Sequence, residues 1–158
     1  KHRYVVPRSY RRIDGERGNI LMPSRVAKEL SALIAYLRTH AEPAERILAL
    51  PAETIVYFLS DRASASRYTF FYPGYAHLEG IDGISQTIKI LDDGQARLIA
   101  LRDTHDLIFG YRWFREYPEN IPLVIYVEEH YVPLARFGNY TLLQRRVPAG
   151  SQSTDSRD

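Results

Sequence analysis

Apolar residues recur with two periods along this chain, and the switches between them divide it into elements. Val26, Leu30, Leu33, Ile34 and Leu37 fall at i, i+4, i+7, i+8 and i+11, one face of a helix. Pro23-Ser24 suits its start and Glu42-Pro43 its stop, so a helix is expected over 23–40. Arg46–Leu50 is a short apolar run closed by Pro51 and reads as a buried strand. Glu53–Leu59 then reads as a short helix, with Glu53 in the first turn where a carboxylate meets the positive end of the helix dipole. Tyr68–Tyr72 reads as a second strand, stopped by Pro73-Gly74.

Ile81, Ile84, Ile88 and Leu91 mark a third helix, ended by Asp92-Asp93-Gly94, and Ala96–Leu101 a third strand. Residues 106–117 are expected to be helical with Trp113 and Phe114 inward. Asn120 is expected to cap a last helix whose apolar side carries Leu123, Val124, Val127 and Tyr131, with Pro122 in its first turn. Ala135–Phe137 and Tyr140–Gln144 flank Gly138-Asn139, a pattern that predicts a hairpin with a type II′ turn.

Alternation of helix and strand predicts an α/β fold: a largely parallel sheet with helices on both faces and an antiparallel C-terminal hairpin at one edge. The expected division is a basic arm over 1–21, one α/β domain over 22–147 and a disordered tail over 148–158. Within the arm, Tyr4–Val6 could add an edge strand.

Composition agrees with a packed domain: of 158 residues, 45% are hydrophobic and 25% charged. The absence of cysteine excludes disulfides, thiolate zinc sites and a cysteine nucleophile. A net charge of +2 gives no argument for a nucleic-acid partner. The charge is uneven, however. Residues 1–17 hold six basic residues against Asp14 and Glu16, a net of +4, which leaves −2 for the rest. A solvated leader is the simpler reading of that arm. The other is a juxtamembrane segment touching anionic lipid. No run of about 18 apolar residues is present to span a bilayer. No signal peptide is visible and the chain begins at Lys1, so it is expected to be a piece of a longer protein.

The common nucleotide, phosphate, hydrolase and zinc-helix motifs are absent. Asp103-Thr104-His105-Asp106 follows the third strand, where ligands of open α/β sheets bind. Its carboxylates and imidazole could hold a metal or move a proton, but turn and helix-cap chemistry accounts for the same residues and is preferred. Asp61-Arg62 reads either as a paired loop or as a polar contact for an anionic or sugar ligand. Arg67 precedes an aromatic run of Tyr68, Phe70, Phe71, Tyr72 and Tyr75. Phe70 and Phe71 are expected in the core, and Tyr72 and Tyr75 exposed, able to stack on sugars or lipid head groups. Asn139-Tyr140-Thr141 matches a glycosylation sequon but is read as turn chemistry, and His130 as a residue facing a helix C-terminus.

The run Arg46–Pro51, then Ile55–Arg62, Arg67-Tyr68, Pro73-Gly74, Arg136–Tyr140 and Leu143–Arg146 resembles the C-terminal soluble domain of bacterial integral-membrane glycosyltransferases. These are similar to the dolichyl-phosphate-mannose–protein mannosyltransferases (glycosyltransferase family 39) and to the lipid A aminoarabinose transferase. The resemblance covers about residues 26–146. It implies a parent that moves a sugar from a polyprenyl-phosphate carrier to a lipid, glycan or protein acceptor. It also implies a bacterial cell-membrane location, with this domain on the extracytoplasmic side. Catalytic acids and metal in such enzymes lie in loops between membrane helices, so no catalytic residue, metal ligand or cofactor is carried over. The implied partners are the membrane part of the same polypeptide and a glycan or lipid-linked sugar, with no nucleic acid. Asp61, Arg62, Arg67, Tyr68, Tyr72 and Tyr75 are the candidate ligand-binding residues. Two rivals stand beside this reading. One is a stand-alone α/β glycan- or anion-binding module acting through Arg67, Tyr72 and Tyr75. The other is a metal-dependent hydrolase using Asp103, His105 and Asp106.

Overall fold

The computed structural model describes residues 9–15, 18–71, 82–103 and 111–147, with side chains of 111–113 excepted. Strands β1 (Tyr10–Gly15) and β2 (Gly18–Pro23) pair antiparallel, with Ile13 opposite Ile20. Their alternation turns Ile13, Ile20 and Met22 onto α1 (Ser24–His40) and the elements beside it. Much of the segment expected as an arm is therefore this hairpin, while Tyr4–Val6 lies outside the described residues. A Cβ at Gly15 would stand 3.0 Å from Leu59 Cδ2, so the hairpin lies close against α2 (Thr54–Ser60).

The main sheet runs β3-β4-β6-β5, from β3 (Ile47–Leu50) and β4 (Leu98–Arg102) to β6 (Tyr140–Arg145) and β5 (Tyr131–Phe137). β3 and β4 are parallel, with Ile47 opposite Leu98, and the other two pairings are antiparallel. The parallel part is one pairing because residues 68–71, expected as a strand, join no sheet. The open edge of β3 is instead met at Ser64. There Ile47 N donates to Ala63 O at 3.0 Å and Ala65 N to Ile47 O at 2.8 Å. The small residues around Ser64 carry no strand signal, so the sequence pointed to the aromatic run that follows them.

Helices cover both faces, as the alternation predicts. Ile47, Ala49, Leu98 and Ala100 face α1 and α2. Leu48, Leu50, Ile99 and Leu101 face α3 (Gly83–Asp92), α4 (Tyr111–Glu116) and α5 (Ile121–His130). Each fully buried Leu or Ile contributes about 1.5–3 kcal/mol, and β3 is buried along its whole length. Two residues differ from expectation around α5. Asn120 sits in a 3₁₀ turn (Pro118–Asn120) and donates its amide to Phe114 O at 3.0 Å rather than capping α5. Tyr131 opens β5, and its hydroxyl donates to Ala96 O at 2.6 Å. The hairpin turn is as predicted: Gly138 has φ 62° while Asn139 stays out of the left-handed region.

Candidate functional site

β4 ends at the carboxyl edge of the parallel pair, where open α/β sheets place their ligands. Alternation sends consecutive residues there to opposite faces. Arg102 turns toward α1 and α2. Its Nη1 donates to Glu53 Oε1 at 2.9 Å, and the Tyr140 hydroxyl donates to Glu53 Oε2 at 3.0 Å. Glu53 is only 3% exposed. It precedes α2 without capping it, because its carboxylate is spent on these two donors. Burial, reinforced by the Glu53 charge, pushes the Tyr140 hydroxyl far above its usual range. Burial opposes the Arg102 charge, and the Glu53 carboxylate more than offsets it. The three groups satisfy one another. They form a neutral, closed cluster that joins the start of α2 to β4 and β6.

Asp103 falls on the other face, beside a cleft of about 390 Å³ between α5 and the sheet. Leu101 and Leu143 are among its apolar lining residues, and Asp103, Arg115, Glu128 and Arg146 among its charged ones. Arg115 Nη2 meets Glu128 Oε1 at 3.1 Å, and Arg146 Nη2 donates to Glu128 O at 3.4 Å. The cleft thus sets paired charges over an apolar floor, at the small end of the size range of ligand pockets. Asp103 N donates to Asn139 O at 2.7 Å, which ties the cleft to the hairpin turn. Thr104, His105 and Asp106 lie outside the described residues, and no group of three potential metal ligands occurs among the described ones.

The residues singled out in the sequence divide into two groups. Arg62 turns inward and is 8% exposed. Its Nη2 donates to Ala41 O at 2.7 Å and its Nη1 to Ser60 O at 3.2 Å. Its guanidinium thereby binds carbonyls at the ends of α1 and α2. Asp61 takes the left-handed conformation, φ 56°, that ends α2, a conformation that Asp tolerates better than most residues. Arg67 and Tyr68 form a separate surface cluster with Gln86 of α3. Arg67 Nη2 meets Tyr68 Oη at 2.6 Å, and both side chains donate to Gln86 Oε1, at 3.3 and 3.1 Å. The Tyr68 ring packs on Gly83 and beneath the Arg67 guanidinium, 4.9 Å from its centroid. Tyr72 and Tyr75 lie outside the described residues. Of the aromatic pair expected in the core, Phe71 is buried against Phe114, but Phe70 is 49% exposed. With 68–71 released from strand pairing, alternation no longer sets which ring points inward. His130 meets the α5 C-terminal carbonyls as expected, with Nδ1 2.9 Å from Tyr126 O.

Sequence reading missed Arg102, Tyr140 and Gln86, and took Glu53 for a helix-dipole residue. A weak signal was present: Glu53 comes just after the apolar run Ile47–Leu50 and Arg102 just after the apolar run Leu98–Leu101, where a lone charge needs a partner.

Fold and site together define a mixed α/β unit with a closed polar cluster on one face of its sheet and an open cleft on the other. No family model matches the sequence, and no curated protein matches it. A solved structure that this chain is similar to is the C-terminal globular domain of an oligosaccharyltransferase from Archaeoglobus fulgidus. The TM-score is 0.43 and the identity 12%, over 75% of this chain and 97% of that one.

Proposed function

We propose that this chain is the non-catalytic extracytoplasmic domain of a bacterial membrane glycosyltransferase, the parent moving a sugar from a polyprenyl-phosphate donor to a lipid, glycan or protein acceptor. Its part would be to shape acceptor access or to bind a partner. The observation that supports this is what the recurring residues do. Asp61 and Arg62 close the ends of α1 and α2. Gly138 makes the hairpin turn, and Tyr140 bonds Glu53. These residues of the pattern, unlike the exposed Arg67 and Tyr68, serve the scaffold, as expected of a domain whose chemistry is done elsewhere. The test is to incubate the purified chain with polyprenyl-phosphate-linked sugars and candidate acceptors. No transfer is expected, and turnover by these 158 residues would sink the proposal. Sequencing the coding region upstream of Lys1 tests the parent: apolar stretches of about 20 residues each are expected there.

A second reading is favoured by the exposed Arg67–Tyr68–Gln86 cluster. A glycan or anionic ligand would there compete for the guanidinium, in a stand-alone binding module that uses Tyr72 and Tyr75 as well. Saturable heat on titration with glycans, lost in Arg67→Ala and Tyr72→Ala, would carry this reading. Unchanged heat in those variants rejects the site.

A further inference from the structure

The outward face of the β1–β2 hairpin is covered by no other described element. Register puts Tyr10 opposite Pro23 and Arg12 opposite Leu21 on that face. Tyr10 is 43% and Leu21 47% exposed. Arg11, opposite Met22 on the other face, is also exposed, as are Arg25 and Lys28 on the solvent side of α1. The first turn of α1 carries no acidic residue, so Arg25 lies at the positive end of the helix dipole, where a cation is disfavoured. Among the described residues, Asp14 meets Arg12 at 3.0 Å and Glu29 meets Arg25 at 3.1 Å. The Arg12–Asp14 pair is exposed on both sides, and such a pair is weak and readily exchanged for other anions, whereas Glu29 is largely buried and also accepts from Asn139 N. Across the sequence the imbalance is larger. Residues 1–29 hold eight basic and three acidic residues, a net of +5, against thirteen and sixteen, a net of −3, in the remainder.

We propose that this hairpin face and the first turns of α1 dock on an anionic lipid bilayer, with Tyr10 and Leu21 entering the interface and Arg12, Arg25 and Lys28 meeting lipid phosphates. A bilayer surface fits better than another polyanion because the patch mixes cations with an exposed aromatic and an aliphatic side chain, the combination interfacial segments use. The inference rests on charge and exposure and stands independently of the glycosyltransferase reading.

The test is co-sedimentation of the full chain with vesicles of phosphatidylcholine alone or containing about 30% phosphatidylglycerol. Binding is expected to the anionic vesicles only, and to fall as salt shortens the Debye length. Arg12→Gln with Lys28→Gln should weaken it about tenfold or more. Tyr10→Ser with Leu21→Ser should weaken it at every salt concentration. Lys89→Gln, an exposed charge on α3 outside the patch, should leave it unchanged. Unaltered melting of each variant shows that folding is intact. Equal binding to neutral vesicles, no binding to either, or an equal loss in Lys89→Gln overturns the proposal. So does salt-sensitive binding to a single-stranded oligonucleotide with none to vesicles.

Discussion

Arg38 and Arg62 cap each other's helices. Arg38, in the last turn of α1, donates its Nη2 to Leu59 O of α2 at 2.8 Å. Arg62, just past α2, donates its Nη2 to Ala41 O beyond α1 at 2.7 Å. Each helix leaves terminal carbonyls without intrahelical donors, and each guanidinium serves the neighbouring helix.

Because Arg62 is buried, its removal strands carbonyls that no water easily reaches. Arg62→Met is expected to lower stability by about 2–3 kcal/mol. Arg62→Lys should recover only part of it, since an ammonium cannot span the same carbonyls with a planar fork. Urea unfolding midpoints of the two variants check both statements.

The buried cluster predicts a graded series. Glu53→Ala should cost about 3–5 kcal/mol, because Arg102 is left charged and partly buried without its counter-ion. Tyr140→Phe removes one bond to the carboxylate and should cost about 1–3 kcal/mol. The double variant should cost less than the sum, which a double-mutant cycle in urea would reveal. Strict additivity would show the two side chains to be energetically independent.

Burial raises the Tyr131 hydroxyl to about 12, against 10.0 in the unfolded chain. The folded value lies above the unfolded one, so the unfolded state loses its proton first as pH rises. Stability from this group is fully present below about pH 10 and declines as pH climbs toward about 12. Tyr140 shifts in the same direction, from burial first and then from Glu53. Melting temperature should therefore fall above about pH 10, and Tyr131→Phe should make that fall shallower.

Gly138 combines φ 62° with a close approach to Glu29, whose Oε1 would lie 2.6 Å from an added Cβ. Glu29 Oε2 also accepts from Asn139 N at 3.2 Å. Gly138→Ala is expected to cost about 1–3 kcal/mol from backbone strain together with displacement of the Glu29 carboxylate. Gly94, also at positive φ (74°), meets only the far end of Arg145 at 4.0 Å and should tolerate alanine better. Comparing the two melting temperatures separates steric approach from conformation.

Elements governed by short-range pattern were legible. The spacing from Val26 to Leu37, the run Arg46–Leu50, the series ending at Leu91 and the turn at Gly138-Asn139 each lie within about a dozen residues, so periodicity and turn chemistry suffice to place them. Local pattern also set the two faces of β3 and β4, since Ile47–Leu50 and Leu98–Leu101 are apolar at every position and must be covered twice.

What tertiary structure alone decided is which distant groups meet. Glu53 finds Arg102 49 residues away and Tyr140 87 residues away. Arg62 reaches back 21 residues to Ala41. Ser64, not the aromatic run after it, reaches the edge of β3. A charged residue in a sequence shows that a partner is needed but not which one. The answer depends on which carbonyls and carboxylates remain unmet once α1, α2 and the sheet have packed, and that is a property of the assembled core.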